Sequence, residues 1–213
     1  MSDLIEDTKN IQREVGVKVD GRFGPVTAAA ALAALRARHM DPHVEIEKPA
    51  SDSGCMLLDE RTETNLATLD PKAVPMARQF MCLAKATAAT FGCDVRIISG
   101  NRTYKEQDAL YAQGRSKPGD IVTNAKGGYS DHNFGIAFDV GIFQGKVYLD
   151  GGTKEQQALA TKIHKSISQH AAACGLGWGG DWESIIDLPH YYVETGKTTA
   201  QHRTIFSQKG SVL

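Results

Sequence analysis

The sequence predicts an α+β fold, a small antiparallel sheet with flanking helices, preceded by a short all-helical module. Three observations carry this reading. Short apolar runs suited to strands fall at Val95–Ile98, Phe134–Val140, Lys146–Leu149 and His190–Val193. Helix-prone stretches at 72–91 and 154–173 lie between them. The first 38 residues read as two short helices around a turn. A chain of 213 residues, at roughly 150 per domain, has room for one well-packed core and a small accessory module.

Residues 3–15 place Leu4, Ile5, Ile11 and Val15 at a loose helical spacing. Val19 to Thr27 is dense in turn residues, Pro25 suits a first helical turn, and the Ala-rich run to Arg38 favours helix. Residues 39–54 contain Pro42 and Pro49 without periodicity and read as a linker between a module at 1–38 and a domain at 55–213. In that domain Gly92 ends the helix of 72–91, and Gly114 stops a helix running from Tyr104 to Gln113. Residues 115–131 are rich in Gly, Pro and Ser, a long loop of the kind that serves function. A tight turn at Gln144-Gly145 joins two strands, and Gly175 and Gly177 follow the helix of 154–173. The tail 197–213 is polar and weakly patterned.

With 24 basic and 25 acidic residues the net charge is −1. That lacks the basic excess of a nucleic-acid binder, and no nucleic-acid partner is expected. The longest apolar run, Ala28 to Leu35, is far short of the ~20 residues that span a bilayer, so no membrane insertion is expected. The first ten residues are polar and acidic, without the pattern of a secretory signal. The expectation is cytoplasmic synthesis and a monomer. Cys55, Cys82, Cys93 and Cys174 form no C-x-x-C pair and read as buried free thiols.

His132 and Asp139 in SDHNFGIAFD, with His190 in DLPHY, offer two imidazoles and a carboxylate. That is a recurring zinc set, with a fourth position open to water or substrate. The spacing of seven suits a histidine at a loop-to-strand junction with Asp139 farther along, Gly135 allowing a bend. Pro189 biases the chain toward an extended form. Asp187 reads alone as a turn or capping residue before that proline. Beside an open zinc site the same carboxylate can take a proton from water and pass it to a leaving amine. Trp178-Gly179-Gly180-Asp181-Trp182 is either a cleft wall or a packed aromatic corner. His39, His43, His164, His170 and His202 read as surface or packing residues.

Ser99 to Val140 closely resembles the VanY-like zinc metallopeptidases of bacterial and phage cell-wall metabolism. Their signatures S-x-H-x-x-G-x-A-x-D and W-G-G-D-W followed by D-x-P-H stand in order at Ser130–Asp139 and Trp178–His190. The resemblance implies a fold shared by D-alanyl-D-alanine peptidases and hedgehog-type domains. It implies Zn2+ on His132, Asp139 and His190, with Asp187 as catalytic acid and base. Arg102 is implied at the scissile carbonyl or a substrate carboxylate, with Gln107 and Ser130 as polar substrate-binding residues, and Trp178, read as a cleft wall, is expected to bind substrate beside them. At the N-terminus, Gln12, Asp20, Gly21, Phe23, Gly24, Pro25 and Thr27 match the V-D-G-x-F-G-P-x-T core of the small peptidoglycan-binding module, without its third helix. Asp20 and Phe23 are its implied wall contacts.

The implied partner is peptidoglycan. LYAQGR, VTNAKGG and HNFG most resemble L-alanyl-D-glutamate endopeptidases, which implies cleavage between L-alanine and D-glutamate of the stem peptide. With no secretory signal pattern seen, the expectation is a cell-wall-lytic endolysin released through a holin, or an enzyme exported by a dedicated route. Two alternatives stand beside it: a D,D-carboxypeptidase removing terminal D-alanine, and a non-catalytic wall-binding protein with a structural zinc.

Overall fold

The computed structural model describes residues 58–183 and 185–213, together with Asn10 and Arg13. The helical module expected at 1–38, with Asp20 and Phe23, and the linker at 39–54 otherwise lie outside the described residues. Elements follow in the order α1 (Glu60–Leu66), α2 (Val74–Ala89), β1 (Asp94–Ser99), α3 (Tyr104–Ala112), β2 (Ala137–Gln144), β3 (Val147–Tyr148), α4 (Lys154–Ile167), β4 (Leu176–Trp178), β5 (His190–Val193) and α5 (Thr199–Lys209). Their starts are locally encoded. Asp59 caps α1, Pro75 occupies the first turn of α2, and capping boxes at Thr103/Glu106, Thr153/Gln156 and Thr198/Gln201 open α3, α4 and α5. Among the described residues no helix is long and apolar enough to cross a membrane.

The sheet runs β1-β2-β5-β4, with β3 added to β2, and every pairing is antiparallel. Strand parity then divides the chemistry. Val95 and Ile97, Phe138, Val140 and Ile142, and Tyr191 and Val193 are buried in the core with Phe80, Met81 and Ala84 of α2 and Ile163 and Ile167 of α4. Phe80 and Tyr191 pack with ring centroids 4.3 Å apart, and Phe138 stacks on Tyr191 at 5.9 Å. Such pairs contribute about 0.5–1.5 kcal/mol each beyond burial. Asp139 and His190 have the opposite parity and project from the other face of the sheet. The β2–β5 register sets them directly opposite one another, and the β1–β2 register sets Ser99 against Asp139.

Several elements depart from the expected ones. The strand expected at Phe134 begins at Ala137, because Asp131–Phe134 closes a 3-10 turn ended by Gly135 at φ 68°. The helix expected to 173 stops at Ile167 and breaks into two 3-10 turns before Gly175 at φ 74°. The tail instead forms α5 and buries His202. Cys93 and Cys174 are buried free thiols as expected, whereas Cys82 is disulfide-bonded.

Candidate metal centre

Three segments that are distant in sequence meet on the site face of the sheet. His132 comes from the 3-10 turn, Asp139 from the middle of β2 and His190 from the start of β5. His132 Nε2 lies 3.1 Å from Asp139 Oδ1 and 3.2 Å from His190 Nδ1, and that nitrogen is 3.1 Å from the same carboxylate oxygen. The three atoms form a nearly equilateral triangle. His132 is 1% exposed, and its Nδ1 lies 2.7 Å from the carbonyl of Gly100. A carbonyl only accepts, so Nδ1 carries a hydrogen, and Nε2 is the nitrogen turned into the triangle. A backbone acceptor behind an imidazole is the arrangement that orients a metal-ligating histidine. Among the described residues, His132, Asp139 and His190 are the group able to hold a metal ion.

Burial alone would favour the protonated acid of Asp139, but His132 and then His190 hold its carboxyl well below the usual range. The carboxylate is therefore kept as an anion, the form able to serve as a metal ligand. Its second oxygen accepts from Arg102 Nη2 at 2.6 Å, and the same guanidinium nitrogen lies 2.9 Å from His132 Nε2. Arg102 is held in place from several sides. Its Nε donates to Ser99 Oγ at 3.1 Å and its Nη1 to Gln107 Oε1 at 3.0 Å. Its backbone is tied to the ligand turn through Arg102 N to the His132 carbonyl, 3.0 Å, and Asn133 Nδ2 to the Arg102 carbonyl, 2.8 Å.

Asp187 is half-buried. Desolvation first, and the Asp139 charge second, raise its pKa above the ordinary 3.8, with His190, His132 and Arg102 pulling the other way. Its position depends on Gly179. A Cβ there would meet the Asp187 carbonyl oxygen at 2.6 Å, His190 Cβ at 3.1 Å and Asp187 Cβ at 3.2 Å, so only glycine lets the 3-10 turn Gly179–Asp181 lie against this hairpin. Asp187 N donates to the Gly179 carbonyl at 3.0 Å, and His190 N to the Asp187 carbonyl at 3.2 Å.

The remaining expected positions separate. Gln107 is wholly buried, with its amide nitrogen donating to Ala125 O at 2.9 Å and Thr123 Oγ1 at 3.2 Å. It links Arg102 to the 115–131 loop. Ser130 is half-buried before the ligand turn, and its carbonyl accepts from Asn133 N at 2.9 Å. Trp178 donates its indole N–H to the Leu188 carbonyl at 2.7 Å and so anchors the Asp187 segment. Its neighbour Trp182 is 37% exposed and sits 5.0 Å from the His190 ring and 5.9 Å from that of Tyr192. Of the two tryptophans, Trp182 is the open aromatic surface beside the triangle. Sequence alone left this pair as wall or corner, and did not single out Gly179; its signal was the Gly-Gly pair between two tryptophans.

Residues 123–193 match the family model described as D-alanyl-D-alanine carboxypeptidase. Over 118 residues, 54% of this chain and 70% of the relative, the sequence is 41% identical to the peptidoglycan L-alanyl-D-glutamate endopeptidase CwlK of Bacillus subtilis (strain 168). Among solved structures, the L-Ala D-Glu endopeptidase ChiX of Serratia marcescens matches 67% of this chain and 93% of its own, at 22% identity and a TM-score of 0.41. VanYB in complex with D-alanine-D-alanine matches 77% of this chain and 88% of its own, at 16% identity and a TM-score of 0.42.

Proposed function

The chain belongs to the peptidase family described as D-alanyl-D-alanine carboxypeptidase, and from that premise we propose that it is a zinc-dependent peptidoglycan hydrolase. Its bond is the one between L-alanine and D-glutamate of the stem peptide, and its role that of a wall-lytic enzyme of the endolysin type. The ligand triangle is the observation that carries the metal. Its edges of 3.1, 3.1 and 3.2 Å approach the edge of about 3.3 Å of a tetrahedron with bonds of about 2.0–2.1 Å. Two imidazoles and one carboxylate with the fourth corner open is the donor set of a catalytic zinc, whereas a structural site closes all four. The choice of bond is supported by the 41% identity to CwlK.

Zinc bound there supplies a Lewis acid that polarises an amide carbonyl and makes water a better nucleophile at neutral pH. The chain's own groups do the rest. Asp187, with its pKa raised, takes a proton from the attacking water and returns it to the departing amine. The Arg102 guanidinium turns Nη2 toward the triangle, where negative charge grows on the carbonyl oxygen and a cationic donor stabilises it. Trp182 offers an aromatic wall for the stem peptide. Residues 1–38 serve as a wall-binding module; deleting them should lower retention on purified walls.

Mass spectrometry of fragments released from purified peptidoglycan, with Asp187→Ala as control, tests the reading. Peptides with new D-glutamate amino termini are expected from the unaltered protein and none from the variant. Loss of single terminal D-alanines would make the enzyme a carboxypeptidase. No release from several wall types would overturn the hydrolase reading.

A further inference from the structure

His202 takes no part in the site described above, yet it is 2% exposed and uses both ring nitrogens. Its Nδ1 lies 3.0 Å from Asp131 Oδ1, and its Nε2 2.7 Å from Thr195 Oγ1. A neutral imidazole has one donor and one acceptor. The carboxylate accepts from Nδ1–H, and the Thr195 hydroxyl donates to Nε2. Thr195 Oγ1 in turn accepts from Lys197 N at 3.2 Å, which leaves its hydrogen free to point at the ring.

The two ends of this chain of bonds matter. Asp131 opens the 3-10 turn that carries His132. Thr195 stands two residues beyond β5, whose first residue is His190. One buried imidazole thus joins the turn bearing one ligand to the exit of the strand bearing another. The same helix reinforces the join. Phe206 packs edge-on against Phe134 with centroids 5.4 Å apart, and Arg203 donates to the Gly128 carbonyl at 3.0 Å with its guanidinium 4.2 Å from the Tyr129 ring. Thr195, His202, Arg203 and Phe206 lie C-terminal to the stretch 123–193 that matches the family model, and their partners Gly128, Tyr129, Asp131 and Phe134 lie within it.

We propose that His202 is a positioning residue of the metal centre, the Asp131–His202–Thr195 chain setting the separation of His132 from His190 and thereby the affinity for the metal. This rests on the zinc reading given above. Groups bonded behind metal ligands change affinity by about 10–100-fold. His202 acts one residue away from His132, so the lower end, about tenfold, is expected.

The test is zinc affinity of the full chain by competition with a chromophoric chelator, together with the visible spectrum of the Co(II)-loaded protein. His202→Leu removes both bonds and should weaken zinc about tenfold and alter the cobalt bands. His202→Asn keeps a donor toward Asp131 and should recover most of the affinity. Thr195→Val is close to isosteric and should give a smaller loss of the same kind. Ile163→Val trims the core at α4, and should lower thermal stability while leaving zinc affinity and the cobalt bands unchanged. Unaltered affinity and spectrum in the His202 and Thr195 variants would overturn the inference while leaving the metal centre standing. If His202→Leu does not fold, Thr195→Val decides by the same criterion. An unaltered protein that binds no zinc would overturn both readings.

Discussion

Gly92 and Gly135 provide a matched pair. Both have φ of 68°, in the region where an L side chain costs about 1–2 kcal/mol. An added Cβ at Gly92 meets nothing within 4 Å, whereas at Gly135 it would stand 2.8 Å from Asp70 N and 3.4 Å from the Leu69 carbonyl carbon. Asp70 N donates to the Gly135 carbonyl at 2.9 Å, and relieving the clash would lose that bond, worth about 0.5–1.5 kcal/mol net. Gly92→Ala is therefore expected to cost about 1–2 kcal/mol and Gly135→Ala about 1.5–3.5 kcal/mol. Any gain from a stiffer unfolded chain is common to both and cancels. Urea unfolding measures the difference directly, and each kcal/mol should also appear as about 2–4 °C in Tm. Because Gly135 closes the turn that carries His132, its variant should also lose zinc affinity, and Gly92→Ala should not. Equal stability losses in the two variants would refute the close-approach argument.

Further outcomes follow from other groups. Tyr191 is wholly buried and its hydroxyl finds no partner among the described residues, while desolvation drives its pKa far up. Tyr191→Phe is thus expected to stabilise the fold by about 1–3 kcal/mol in denaturant unfolding; a loss of stability would show the hydroxyl to be satisfied. Asp94 is desolvated, yet Lys85 and then Arg96 at 3.0 Å lower its pKa below the ordinary 3.8. A lowered carboxylate adds stability above its unfolded-state pKa and loses it as pH falls through the folded value. Asp94→Asn should therefore cost up to about 1 kcal/mol near neutral pH, a cost that shrinks as pH falls below the ordinary carboxylate range. A cost independent of pH would contradict the assignment. Trp182→Ala should raise KM for wall fragments several-fold with zinc affinity unchanged. A fall in zinc affinity instead would make Trp182 a support of His190 rather than a substrate wall.

The strands at 94–99 and 190–193 were legible because short runs of apolar side chains have few other uses. His132, Asp139 and His190 could be singled out because two imidazoles and a carboxylate are a recurring zinc set and the signatures around them resemble those of zinc peptidases; their spacing alone is a weak signal. The register that sets Asp139 opposite His190 was not, since the two are far apart in sequence and meet only through packing on the Phe80 core. β4 is three residues long and contains a glycine, which leaves no periodicity to read. α5 escaped for a different reason: its buried residue is a histidine, which no hydrophobic pattern marks, and only Ile205 and Phe206 pack against the core. Gln107 illustrates the same limit within the site. Its residue type suggested a polar site contact, but only the fold shows its carbonyl on Arg102 and its amide on the loop.

The most direct test of the account is X-ray absorption of the zinc-loaded protein. The expected shell is two imidazole nitrogens at about 2.0–2.1 Å with carboxylate and solvent oxygens at about 2.0–2.2 Å, and no sulfur. It should lose imidazole scattering in both His132→Ala and His190→Ala. A sulfur neighbour at about 2.3 Å, drawing in Cys93 or Cys174, or an all-oxygen shell, would contradict it.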